Sequence, residues 1–84
     1  MTVYAVGLVT SASIDHAAGN YNLVIAGTST NGVSDDGWGG SLVFIPLGTS
    51  AKKADKMLRD AAAAEIFAAF GYTIDPSDIY FPAP

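Results

Sequence analysis

The sequence predicts an α+β domain in which a small antiparallel sheet of three strands packs on one long helix. The first observation behind this is a stretch of 20 residues, 51–70, that is Ala-rich, free of Gly and Pro, and holds every Lys and Arg of the chain. The second is that the residues before it read as apolar strand-like runs separated by turn residues. The predicted order over a single domain, residues 1–84, is β-β-β-α followed by an extended C-terminal tail, residues 72–84, that can add a strand.

The first two strands are predicted over residues 3–13 and 21–27. The turn between them ends in Gly19-Asn20, a pair that accepts left-handed backbone, so the two strands should form a hairpin. The first strand is apolar on both faces, as in a strand that is covered on two sides or paired with a partner. Gly7 in its middle indicates a bulge or a close approach by a helix.

Residues 28–40 are predicted to be the longest irregular segment, because they contain the turn dipeptides Asn31-Gly32 and Asp36-Gly37. Trp38 stands among glycines in this segment, and two interpretations of it remain open: a lid folded back on the core, or an anchor for a partner. The third strand is predicted over residues 41–47, again apolar on both faces, with Pro46 at its end or on an edge.

The long helix is predicted over residues 51–70, because Ser50 is a favourable N-cap and Gly71 follows where a left-handed C-terminal cap belongs. In the tail, residues 72–74 can form a short strand, and Asp75-Pro76 is typical of a capped turn. Residues 79–81 either add another short strand or pack over the core.

The second half of the helix is apolar nearly all round, since Phe67 and Phe70 lie away from its main apolar face. Either the tail covers these two side chains or another chain does, and the sequence leaves both interpretations open. The residues predicted to contact a protein partner are Trp38, Phe67, Phe70, Tyr80 and Phe81.

The first half of the helix is basic. Lysines in the first turn oppose the helix dipole, and a bound anion or an acidic partner would compensate for them. The simpler interpretation is a solvated face on which Asp55 and Asp60 partly offset the positive charge. The spacing of a phosphate-binding P-loop is missing from residues 48–52. A weak anion-binding site is therefore predicted at Lys52, Lys53, Lys56 and Arg59.

Composition and motifs exclude several function classes. A net charge of −4 argues against nucleic-acid binding, and the absence of cysteine removes thiolate catalysis and zinc–thiolate sites. We identify no signal peptide and no apolar run long enough for a membrane span, so we expect synthesis in the cytoplasm and no membrane partner. His16 is the one histidine, and the acidic residues near Asn31 lack a calcium-loop pattern. We therefore predict no enzyme, no cofactor, no metal and no catalytic residue.

The function class favoured by these observations is a small non-enzymatic structural or protein-interaction subunit of a larger assembly, acting as a homo-oligomer or with another protein partner. The small, Ala/Gly/Thr-rich and cysteine-free composition resembles in general style a virion or tail component of a bacterial virus. The alternatives are a binding module for an anionic ligand at the helix start or the Trp38 loop, and a phage-type inhibitor that docks on a host protein.

Overall fold

The computed structural model of the chain describes residues 3–82. Within that range the fold is α+β, with one helix on one face of a four-stranded sheet, as the sequence predicts. Residues 1, 2, 83 and 84, which belong to the predicted domain and tail, lie outside the described residues. The elements are β1 (Tyr4–Asp15), β2 (Asn20–Thr30), β3 (Asp35–Pro46), α1 (Ala51–Phe70) and β4 (Ile79–Tyr80).

The sheet has the strand order β3-β2-β1-β4 and is mixed rather than purely antiparallel. β1 and β2 form the predicted antiparallel hairpin, and β3 pairs antiparallel with β2. β4 is the strand contributed by the tail, and it runs parallel to β1, with Ala5 beside Ile79. The pairing is parallel because the chain crosses the sheet as α1 before it reaches the other side of β1. The other candidate strand of the tail, residues 72–74, is irregular.

The prediction of an irregular segment over residues 28–40 is wrong. β2 continues to Thr30, β3 begins at Asp35, and only residues 31–34 form a turn. The Asn31 side chain builds this turn by accepting the backbone N–H groups of residues 33 and 34, at 2.8 and 3.0 Å. Gly40, with φ 80°, is the extra residue where the β2–β3 register shifts. The Asp36-Gly37 dipeptide therefore lies inside a strand, and the glycines serve packing and a bulge.

α1 has the bounds that its capping residues predict. The Ser50 hydroxyl accepts the backbone N–H of Lys53 at 3.3 Å, which satisfies one free amide of the first turn. Gly71 takes the left-handed conformation, φ 78°, and donates its N–H to the Phe67 carbonyl at 2.8 Å. The tail turn is also confirmed, since Asp75 caps a 3-10 turn over Pro76–Asp78.

The core lies between α1 and one face of the sheet. Ala62 and Ile66 of α1 are buried against this face, with Ile25 of β2 at its centre. The tail closes the same side, because the Phe81 ring lies over Gly7 so closely that a Cβ there would be 2.5 Å from Cζ. Gly7 therefore marks a close approach by the tail and not, as the sequence suggested, by a helix or a bulge. The remaining buried apolar residues are Ala5, Trp38, Val43, Ile45, Ile74 and Ile79.

Candidate functional site

The sheet face opposite α1 is the candidate functional site, and we call it the open face. Side chains alternate between the two faces of a strand, so the residues next to the buried Ala5, Ile25 and Val43 point away from the helix. The cross-strand register places these residues side by side, because Leu8 pairs with Ala26 and Val24 pairs with Leu42. The apolar members of the open face are Tyr4, Val6, Leu8, Val24, Ala26, Leu42, Phe44 and Tyr80.

The large side chains of the open face are about half exposed. Phe44 retains 54% of its accessible surface and Tyr80 retains 60%, and Tyr4, Leu8 and Leu42 fall between 50% and 54%. Single exposed apolar residues are normal on a protein surface, whereas a contiguous patch indicates an interaction site. The clustering on one face of the sheet therefore distinguishes this surface from scattered exposure.

Charge is confined to the two ends of the open face within the described residues. Asp15 pairs with Asn20 at the hairpin end, and Asp35 pairs with Thr30 at the other. Between these ends the polar residues of the face are the uncharged Ser11, Ser13, Asn22 and Thr28. An antiparallel sheet that faces water on one side normally carries polar side chains there. The composition is instead typical of a sheet face that packs on another surface.

Trp38 does not take part in this face. It lies in β3 opposite Gly27, on the helix side, and only 6% of it is exposed. Its ring sits where a Cβ on Gly27 would approach Cζ2 within 2.8 Å. The ring is buried as the lid interpretation expects, and it is not accessible to a partner in this fold, so the anchor interpretation stays a prediction without support from this geometry.

The other predicted contact residues are spread over separate surfaces. Phe70 is half-buried and stacks on Tyr72 of the tail, with ring centroids 5.8 Å apart and an interplanar angle of 14°. Phe81 is half-buried over Gly7. Phe67 remains 56% exposed on α1, so the tail covers Phe70 and leaves Phe67 in solvent. Tyr80 is the one member of the predicted set that belongs to the open face.

Sequence reasoning missed four of the large residues on the open face: Tyr4, Leu8, Leu42 and Phe44. The signal was present, because the first and third strands are apolar on both faces and the chain has one long helix. One helix covers one face of a sheet, which leaves the second apolar face to a partner. What the sequence does not show is which of the two faces the helix selects.

The four cations of α1 line one cleft, which three carboxylates also line. Lys56 forms an ion pair with Asp60 at 2.7 Å, and the Arg59 guanidinium contacts the Asp55 carboxylate at 2.8 Å. These are the near-neighbour pairs of the simpler sequence interpretation. Within residues 3–82, Lys52 and Lys53 have no carboxylate at ion-pair distance.

One of the carboxylates that line this cleft is that of Asp75, which would repel an anion. The pKa of Asp75 is lowered by hydrogen bonds from the backbone N–H and the hydroxyl of Ser77, so this carboxylate stays charged. The anion site therefore remains a prediction, and Asp75 weighs against it.

The double variant Lys52→Ala, Lys53→Ala tests the anion hypothesis. Without a bound anion it should leave the free energy of unfolding equal or raise it by about 0.5 kcal/mol, because two positive charges are removed from the start of the helix. Thermal unfolding of both proteins should be measured with and without inorganic phosphate. A phosphate-dependent rise in Tm that the double variant loses would support the site, and equal Tm values in phosphate would count against it.

The residues that could bind a metal ion stand apart from one another in the described part of the chain. His16 is exposed in the β1–β2 turn. Residues 3–82 contain no group of three or more His, Asp or Glu side chains placed to hold a metal ion. In the same range no helix is both long and apolar enough to cross a membrane. Comparison with protein-family models, curated proteins and solved structures found no match to this chain.

Proposed function

We propose that this protein is a non-enzymatic structural or protein-interaction subunit that associates with itself as part of a larger assembly. The observation that carries the proposal is the open face, on which five large apolar side chains are half exposed in two groups, with Val24 and Ala26 between them. Burying apolar surface is the main driving force of protein association. A virion or tail component of a bacterial virus remains the sequence-based hypothesis for the assembly.

The rest of the surface supports this choice of interface. Two of the four cations of α1 are held in ion pairs within the helix, so they are partly neutralised before any ligand arrives. The exposed apolar side chain on the back of the helix, Phe67, has no large exposed apolar neighbour within one helical turn on either side. The helix side of the sheet also exposes Val9, Ile14 and Tyr21, but these are fewer than the five large side chains of the open face. We therefore choose the open face as the surface that a protein partner would remove from water.

The test is the molar mass of the purified full chain, measured by light scattering over a range of concentrations. We expect at least twice the chain mass, and we expect Phe44→Lys to lower it to that of a monomer, because burying an unpaired charge in the interface is costly. Phe67→Lys is the matched control, since Phe67 is 56% exposed and Phe44 54%.

A monomer at the highest concentration would overturn the proposal. If the chain associates and Phe67→Lys dissociates it while Phe44→Lys does not, the interface lies on the back of α1 and the open face is not the site.

A further inference from the structure

We propose that the partner on the open face is a second copy of this chain, packed face to face about a two-fold axis lying between the two sheets. This inference rests on the proposed function and adds the identity of the neighbour and the way the two faces fit together. It is drawn from the distribution of large and small side chains over the open face.

Two diagonal corners of the open face carry large side chains, and the other two carry small ones. The register aligns residues across the strands. Leu8, Ala26 and Gly39 form one row, and Ser13, Asn22 and Phe44 form another. The aromatic corner, at the start of β1, consists of Tyr4, Leu8 and Tyr80. Beside it on β3 lies the glycine corner, Gly37 and Gly39. At the other end of the sheet, the phenylalanine corner on β3 is Leu42 and Phe44, and the serine corner on β1 is Ser11 and Ser13.

This diagonal arrangement complements itself. A half turn about an axis in the plane of the sheets, whether along or across the strands, exchanges neighbouring corners. Each aromatic or phenylalanine corner then lies over a glycine or serine corner of the other copy. A two-fold interface requires such a surface, because both copies present the same patch. Packed sheets lie about 10 Å apart with interdigitated side chains, so large residues need small ones opposite them.

The area is sufficient for a dimer. Aromatic and large aliphatic side chains expose about 200 Å² each when free, so five that are half exposed supply about 500 Å² per copy. The polar residues around them raise this towards the roughly 800 Å² per partner of a stable interface.

Pairing through the free edge of β3 is disfavoured. A bulge at Gly40 interrupts the strand, and Pro46 lacks a backbone N–H at its end. Two adjacent carboxylates, Asp35 and Asp36, stand at its start, and charged side chains on an edge strand disfavour pairing with another strand. These features disfavour pairing of the β3 edge with another strand. On the open face, charged residues stand only at the two ends within the described part of the chain.

The decisive variant is Gly37→Tyr. A Cβ at this position would meet no atom closer than the Gly27 carbonyl oxygen at 3.9 Å, and Gly37 is not in the left-handed conformation, so the fold accepts a side chain there. In the dimer the new ring would occupy the corner that receives the neighbouring copy. We expect the monomer to unfold at the same or higher urea concentration and the dimer dissociation constant to rise at least tenfold. Ala64→Tyr, at an exposed position on α1, is the control and should leave the mass unchanged.

Cross-linking gives a second readout. The chain contains no cysteine, so Val24→Cys introduces a single thiol at the centre of the open face. A short bis-maleimide that spans the ~10 Å between packed sheets should link two copies through residue 24. The link should be lost when Gly37→Tyr is added, and Ala64→Cys should give much less of it.

The outcomes separate the two proposals. A wild-type monomer would overturn self-association itself. An oligomer that keeps its mass in Gly37→Tyr and gives no link through residue 24 would overturn only the face-to-face arrangement, and would point to the β3 edge or the back of α1.

Discussion

Replacing Gly27 by alanine is expected to lower the free energy of unfolding by about 3 kcal/mol or more. The added Cβ would collide with the backbone carbonyl oxygen of Val6, and it would lie 2.8 Å from Cζ2 of Trp38 and 2.9 Å from the Gly7 Cα. Backbone atoms of a paired strand cannot move aside as a side-chain end can. A chain of this length has a total stability of only about 4–13 kcal/mol, so this single methyl group should remove a large share of it.

Gly37→Ala is the matched control for this experiment. Gly37 lies in the strand paired with β2, one residue along from the partner of Gly27, and a Cβ there meets nothing closer than 3.9 Å. We expect this change to leave stability equal or raise it slightly, because alanine restricts the unfolded chain more than glycine does. Urea unfolding of the three proteins would measure both effects, and equal stability of Gly27→Ala and wild type would contradict the close packing of β1, β2 and Trp38.

Ile66→Ala is expected to cost about 2–5 kcal/mol. The Ile66 side chain is fully buried between α1 and the sheet, so truncating it leaves a cavity that surrounding residues fill only in part. The loss should appear as a lower urea midpoint with an unchanged slope, since the surface exposed on unfolding stays nearly the same.

Phe67→Ala provides the comparison one residue along the same helix. Phe67 is 56% exposed, so its removal should change the free energy of unfolding by less than about 1 kcal/mol. The contrast tests the orientation of α1 directly. If the phenylalanine proves as costly as the isoleucine, the tail covers Phe67 in solution and the helix face is assigned incorrectly.

The elements that the sequence predicts correctly are those with local signals. α1 begins after Ser50 and ends before Gly71 because the hydroxyl cap and the left-handed glycine act within a few residues of their own position. The β1–β2 hairpin and the Asp75 turn are also set by neighbouring residues. Each of these is readable from a short window of sequence.

The prediction for the start of β3 failed because a long-range contact overrides the local turn preference of this segment. Asp36-Gly37 is a strong turn dipeptide, but Trp38 packs over Gly27 on the adjacent strand and holds the segment extended. A short window of sequence contains one half of that contact and not the other. Strand propensity depends on cross-strand neighbours in this way more than helix propensity depends on tertiary contacts.

The sequence indicated that the sheet needs a second covering surface, but it did not indicate which residues form that surface. Two-sided apolar strands indicated that a second surface had to cover the sheet, yet the residues chosen for it came from the loop, the helix end and the tail. Of those, Tyr80 alone lies on the open face. The face itself is fixed by the strand register and by the side on which α1 docks, and both are properties of the assembled fold.

The pairing of β1 with β4 has a consequence for how the protein folds. It joins Ala5 to Ile79, residues 74 positions apart (79 − 5), through a ladder only two residues long. Closing a free loop of that length costs about 4 kcal/mol in chain entropy, more than two residues of backbone pairing return. β4 can therefore join only after α1 has docked and brought the tail to the sheet. During synthesis on the ribosome, the outer edge of β1 stays unpaired at least until residues 79–80 emerge.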